Sequence, residues 1–203
     1  MKKDYTDVTV LLDRSGSMAV IWSSVQEMLN GFIETQKKLD GEVKLSLLVF
    51  DSNGPGADIQ TVAKAVDIKE CSFDLNEYRP RGGTPLREAF IRTIDSLGDR
   101  LRSLSESERP EKVLFAVMTD GEENRSGEAY TQERLKSMTK HQADKYDWEF
   151  VYMGANQDSF ANAIHMGIPV GNAMNFCANR EGVSKLYRDL YILKLDSLIY
   201  RMI

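Results

Sequence analysis

Two stretches of this chain run almost unbroken through apolar and β-branched residues and then stop at an acid. Residues 7–13 read Asp-Val-Thr-Val-Leu-Leu-Asp, and residues 113–119 read Val-Leu-Phe-Ala-Val-Met-Thr before Asp120 and Gly121. A strand with one face in water alternates apolar and polar residues, so an unbroken run requires a strand buried on both faces. Residues 43–50 form a third such run and end in the turn-rich stretch 51–56 (Asp-Ser-Asn-Gly-Pro-Gly). Such strands need helices on both sides, and the helical patterns are present. Ile21, Val25, Met28, Leu29 and Phe32 recur at spacings of three and four on a helix ending near Asp40-Gly41. Thr84-Pro85 reads as N-cap and first residue of a second helix carrying Leu86, Phe90, Ile94, Leu97 and Leu101 on one face.

The remaining elements complete the alternation. Residues 59–68 read as a strand antiparallel to 43–50, because the connection is too short for a crossover. Residues 71–83 are irregular, 128–141 form a modest helix, 148–153 a strand, and a short helix runs to about His165. Residues 168–176 make a last strand, for which Pro169 and Gly171 imply an edge position or a short element, and 181–203 are helical. The expected fold is α/β and doubly wound: a mostly parallel central sheet with one antiparallel edge strand and helices on both faces.

With 203 residues, 42% of them hydrophobic, and no repeat or linker, the chain is expected to be a single domain over 1–203. Such a domain needs no disulfide, so Cys71 and Cys177 are expected as reduced thiols. The formal net charge of −5 and the lack of a long basic run argue against nucleic acid as a partner. No stretch has the ~20 apolar residues of a membrane span or a signal-peptide core, so no membrane partner and a cytoplasmic location are expected. Only two histidines, His141 and His165, are present, which weakens zinc-hydrolase and histidine-based acyl-transfer readings and leaves oxygen as the expected metal donor.

In open parallel sheets ligands sit beyond the carboxyl ends of the strands, where the loops converge. Asp13, Ser15 and Ser17 follow the first strand, Thr84 lies between Gly82-Gly83 and a helix, and Asp120 ends a central strand. Singly, each has a plain structural role: serines and Thr84 as helix caps, Asp-Gly as a turn. Together they are two carboxylates and three hydroxyls, the hard oxygen donors that suit Mg²⁺ or Mn²⁺.

Asp13-Arg14-Ser15-Gly16-Ser17, Thr84 after Gly83, and Thr119-Asp120-Gly121 resemble the metal-ion-dependent adhesion site (MIDAS) of von Willebrand factor type A domains. This is the Rossmann-like fold shared with integrin inserted domains, and the resemblance covers residues 6 to about 176. It implies that Ser15, Ser17 and, in the ligand-competent state, Thr84 contact the ion directly, while Asp13 and Asp120 act through waters. An ion held mainly by neutral hydroxyls keeps its Lewis acidity, so a carboxylate from a partner is a favoured further ligand. The expected function is Mg²⁺-dependent binding of a protein offering Asp or Glu, without catalysis.

Two rivals carry less. A Mg²⁺- or Mn²⁺-dependent phosphoryl-transfer or hydrolytic enzyme would use Asp13 and Asp120, yet the chain has no P-loop, no Gly-x-Ser-x-Gly elbow and no Asp-x-Asp after the first strand. A structural subunit with an incidental metal is the other, since intracellular relatives work with AAA-type ATPases or in multiprotein assemblies. Residues 152–158 resemble small stand-alone forms from bacteria and their phages, and Asp158 reads as a helix N-cap. Arg14, Arg81, Glu122 and Glu123 are expected to rim the site toward a partner. The C-terminal helix, with Tyr187, Tyr191, Leu195, Leu198 and Met202 on a second apolar face, would extend the core or pair with a second copy of the chain.

Overall fold

Along β1 (Lys2–Asp13) the side chains divide between two cores: Val8, Val10 and Leu12 belong to one, Leu11 to the other. The same period of two divides β4 (Pro110–Thr119), with Leu114, Ala116 and Met118 in the first core and Val113, Phe115 and Val117 in the second. Burial on both faces is the physical reason these strands read as continuous apolar runs. The computed structural model describes residues 1–38, 40–121, 123–155 and 159–193, with backbone alone over 187–193.

Its other elements are α1 (Trp22–Gln36), β2 (Glu42–Asp51), β3 (Asp58–Asp67), α2 (Leu86–Ser103), α3 (Gln132–Tyr146), β5 (Trp148–Ala155), α4 (Ser159–His165), β6 (Ala173–Phe176) and α5 (Arg180–Leu193). The sheet order is β3-β2-β1-β4-β5-β6. Every neighbouring pair is parallel except β2 and β3, so the antiparallel strand lies at an edge as expected. Trp22, Val25, Met28, Leu29 and Ile33 of α1, with Val183 and Leu186 of α5, close the first core. The second is closed by α2, α3 and α4 around a cluster in which the Phe90 ring lies 4.7 Å from Phe115 and 6.0 Å from Phe150. Among the described residues no helix is long and apolar enough to cross a membrane. Both cysteines are free.

Several boundaries differ from expectation. Helix α1 stops at Gln36, short of Asp40-Gly41, and a 3₁₀ turn over Gly16–Val20 precedes it. Helix α2 begins at Leu86 with Pro85 in the cap position, so Thr84 is not its N-cap; the Thr84 backbone is engaged elsewhere, as described below. Helix α3 starts later than residue 128 because Thr131 caps it, accepting from the Arg134 N–H at 3.2 Å, and it ends in a left-handed Asp147. The last strand is both short, as Pro169 and Gly171 implied, and at an edge, and it begins only at Ala173 because Val170–Asn172 form a 3₁₀ turn. The apolar face expected for pairing of copies, and Asp158, lie outside the described side chains.

The aromatic cluster ties α2 to the sheet, so Phe90→Ala should destabilise the fold by about 3–5 kcal/mol, read as a lowered urea midpoint with an unchanged slope.

Candidate metal centre

Strands β1 and β4 are neighbours whose following helices, α1 and α3, pack on opposite faces of the sheet. A cleft therefore opens beyond their carboxyl ends, the position at which such sheets bind ligands. Asp13 ends β1 with its side chain fully out of water. Its Oδ1 accepts from the Ser15 N–H at 2.6 Å, an Asx turn that folds the loop back on the strand, and its Oδ2 accepts from Thr119 Oγ1 at 2.6 Å. Burial outweighs these bonds and pushes the Asp13 carboxyl up to about 7.

From Asp13 the donors follow in a chain. Ser15 Oγ lies 3.1 Å from Ser17 Oγ, which donates to Asp120 Oδ1 at 2.7 Å. Burial also raises the Asp120 carboxyl. Thr84 joins through Gly121: a Cβ built on that glycine would lie 2.8 Å from Thr84 Oγ1 and 3.7 Å from Ser17 Oγ. Any other residue at position 121 would crowd the hydroxyl out. The Thr84 backbone is held by Asn124, whose Oδ1 accepts from Thr84 N at 3.0 Å and whose N donates to Thr84 O at 3.1 Å. Asp13, Ser15, Ser17, Thr84 and Asp120 thus share one place. Among the described residues no group of three or more His, Cys, Asp or Glu side chains is arranged to hold an ion, so a cation here would depend on the hydroxyls. Two carboxylates and three hydroxyls suit a hard divalent ion.

Of the expected rim residues, Arg14 and Glu123 are corrected, while Arg81 stays exposed. Arg14 is buried: its Nε lies 3.1 Å from Asp51 Oδ2, its Nη2 3.3 Å from Asp58 Oδ2, and its Nη1 donates to Gln60 at 3.1 Å. The Asp51 contact is a close ion pair outside hydrogen-bond alignment. Arg81 is exposed but bonded to the same acids, through Nε to Asp51 at 2.7 Å and Nη2 to Asp58 at 2.6 Å. Glu123 turns inward. Its Oε2 accepts from the Arg87 N–H at 2.7 Å and Ser126 Oγ at 2.6 Å, and its Oε1 from the N–H groups of Arg125 and Ser126. A carboxylate at the start of α2 satisfies a free helix N–H and meets the positive end of the helix dipole, which draws it in from the rim. Glu122 lies outside the described residues.

Asp51 and Asn124 were missed by sequence reasoning. Asp51 ends β2 as Asp13 ends β1, which is the signal that marks it; nothing local marks Asn124. Together with backbone bonds from Arg81 N to Arg14 O and Gly16 N to Gly82 O, Asp51 ties the loop of Asp13 to the loop of Thr84. Gly82 is required at this seam, with φ of +65° and a Cβ position only 2.0 Å from Ser52 O.

No protein-family model matches the chain, and no curated protein matches it in sequence. Solved structures do match in fold. The SpRpn10 VWA domain aligns over 89% of this chain and 92% of its own length, at 11% identity and a TM-score of 0.55. The chain has the fold of a von Willebrand factor type A domain. Two further structures of that likeness carry metal in their descriptions. Proximal thread matrix protein 1 from the mussel byssus, with a zinc-occupied MIDAS motif, aligns over 94% of this chain at 14% identity and a TM-score of 0.60. The chain spans 46% of that protein's length. The manganese-loaded TRAP protein of Plasmodium vivax aligns over 76% of this chain and 58% of its own, at 20% identity and a TM-score of 0.52.

Two outcomes follow from the geometry. Because the folded state raises the Asp13 carboxyl from 3.8 to about 7, ionising it opposes folding. In EDTA the contribution is fully favourable below about pH 4 and is lost as pH rises through about 7, so Asp13→Asn should raise the melting temperature at pH 8 and converge on wild type in acid. Glu123→Ala should cost about 1–2 kcal/mol in chemical denaturation, as loss of a helix cap does.

Proposed function

We propose that the domain is a protein-interaction module in which Asp13, Ser15, Ser17, Thr84 and Asp120 hold Mg²⁺ or Mn²⁺ and a partner's Asp or Glu carboxylate completes the site. The observation that carries this reading is the distribution of charge. Asp13 is fully buried and Asp120, half-buried, lies close enough to push the Asp13 carboxyl up further, while the adjacent cations Arg14 and Arg81 are paired with Asp51 and Asp58. Two acids that have no basic counterpart among the described residues form a site that favours a divalent cation.

The bound ion would supply a Lewis-acidic position for an incoming carboxylate. Ser17 is exposed on the cluster while Thr84 is buried beside Gly121, and the resemblance assigns direct contacts to the three hydroxyls. The metals in the mussel and Plasmodium structures lend support from proteins of the same fold. An AAA-type ATPase or another multiprotein assembly in the cytoplasm is the partner setting that the resemblance suggests.

Calorimetric titration tests the reading. One equivalent of Mg²⁺ or Mn²⁺ should bind to wild type and none to Asp13→Ala; no uptake by wild type overturns it. Because ligands must be deprotonated, affinity should fall about tenfold per pH unit below about 7. Asp51→Asn, which loosens the seam between the two loops without removing a ligand, should weaken metal binding about 10- to 100-fold, as loss of a supporting contact behind a ligand does.

A further inference from the structure

Immediately beside the cluster, on the far side of Gly121, lies a cavity of about 260 Å³ between the start of α2, the start of α3, α4 and β5. Gly121 belongs to both places: its Cα backs the Thr84 hydroxyl, and it also lines the cavity. The volume is below the ~300–1,000 Å³ of a small-molecule site and suits a single side chain.

Its chemistry is specific. Leu86, Met166 and Tyr152 supply buried apolar surface, while Arg87, Gln132 and His165 supply polar groups. Arg87 is the decisive group. Of its guanidinium donors only Nε has a hydrogen-bond partner among the described residues, Tyr130 O at 2.9 Å; Nε also lies 3.9 Å from Glu123. Among the described residues the Nη donors of Arg87 have no hydrogen-bond partner, and a guanidinium fork matches a carboxylate. Glu123, the acid that also lines the cavity, does not occupy these Nη donors, because four hydrogen bonds hold its oxygens against α2 and its own loop.

We propose that this cavity is a second subsite of the binding face, taking a glutamate that the partner carries two residues from the acid meeting the ion. In an extended segment residues i and i+2 share a face, about 7 Å apart. One carboxylate then meets the ion over Ser17 and Thr84, the chain crosses Gly121, and the second glutamate lays its methylenes on Leu86 and Met166 and its carboxylate on Arg87. The inference rests on the metal-dependent reading above and narrows its partner to a paired-acid motif, Asp/Glu-x-Glu.

Panning a displayed library of random heptapeptides on the whole chain in Mg²⁺, with elution by EDTA, tests it. Wild type should enrich an acid followed two positions later by Glu, and Arg87→Glu should shift that second preference to Lys or Arg. Synthetic Gly-Asp-Gly-Glu-Gly should bind wild type in Mg²⁺ about tenfold tighter than Gly-Asp-Gly-Ala-Gly, as one charged hydrogen-bonded contact provides. Enrichment of a lone acid, or equal affinity of the two peptides, overturns the subsite while leaving the metal reading standing. Failure to enrich any acid in a Mg²⁺-dependent way overturns both.

Discussion

A carboxylate at the end of the central strand, fully out of water, constrains everything around it. Asp13 sits where β1 leaves the sheet, and an ionised acid in that position demands compensation from its neighbours. Part comes from the Ser15 N–H and the Thr119 hydroxyl, which fold the first loop and pin it to the end of β4. These bonds do not match the hydration lost, and the carboxyl stays raised. The residual demand is for a cation, and the cleft between diverging crossovers is where the fold has room for one.

Around this acid the loops are joined mainly by backbone. Gly16 bonds to Gly82, Arg81 to Arg14, Ser52 to Gly83 and Asn124 to Thr84. Side-chain charge is spent on holding the seam closed, with Asp51 and Asp58 accepting both arginines. That division of labour leaves Ser17, Gly121 and the half-buried Asp120 on the open side of the site, with Thr84 buried beside them. The surface extends across Gly121 to a cavity whose polar wall holds a guanidinium.

The layers of the fold were legible from the chain, and the reason can be traced through single elements. Residues 7–13 and 113–119 carry their double burial in residue type alone, and the α2 stripe from Leu86 to Leu101 carries its face in spacing. Boundaries were less legible. Pro85 suggested a helix start one residue early because the backbone of Thr84 is claimed by Asn124, forty positions away, and no local preference reports such a contact.

By itself the sequence determined a two-faced parallel sheet and an oxygen-rich donor set at its strand ends, since both follow from side-chain chemistry and short-range periodicity. Only the tertiary structure decided which charges stay free. Arg14 is adjacent to Asp13 in the chain yet pairs with Asp51 and Asp58, and Glu123 follows Asp120 closely yet caps α2. Charge pairing depends on distance and burial in three dimensions, so Arg14 and Glu123 turned inward, Arg81 stayed exposed but paired, and buried Asp13 with half-buried Asp120 was left as the site.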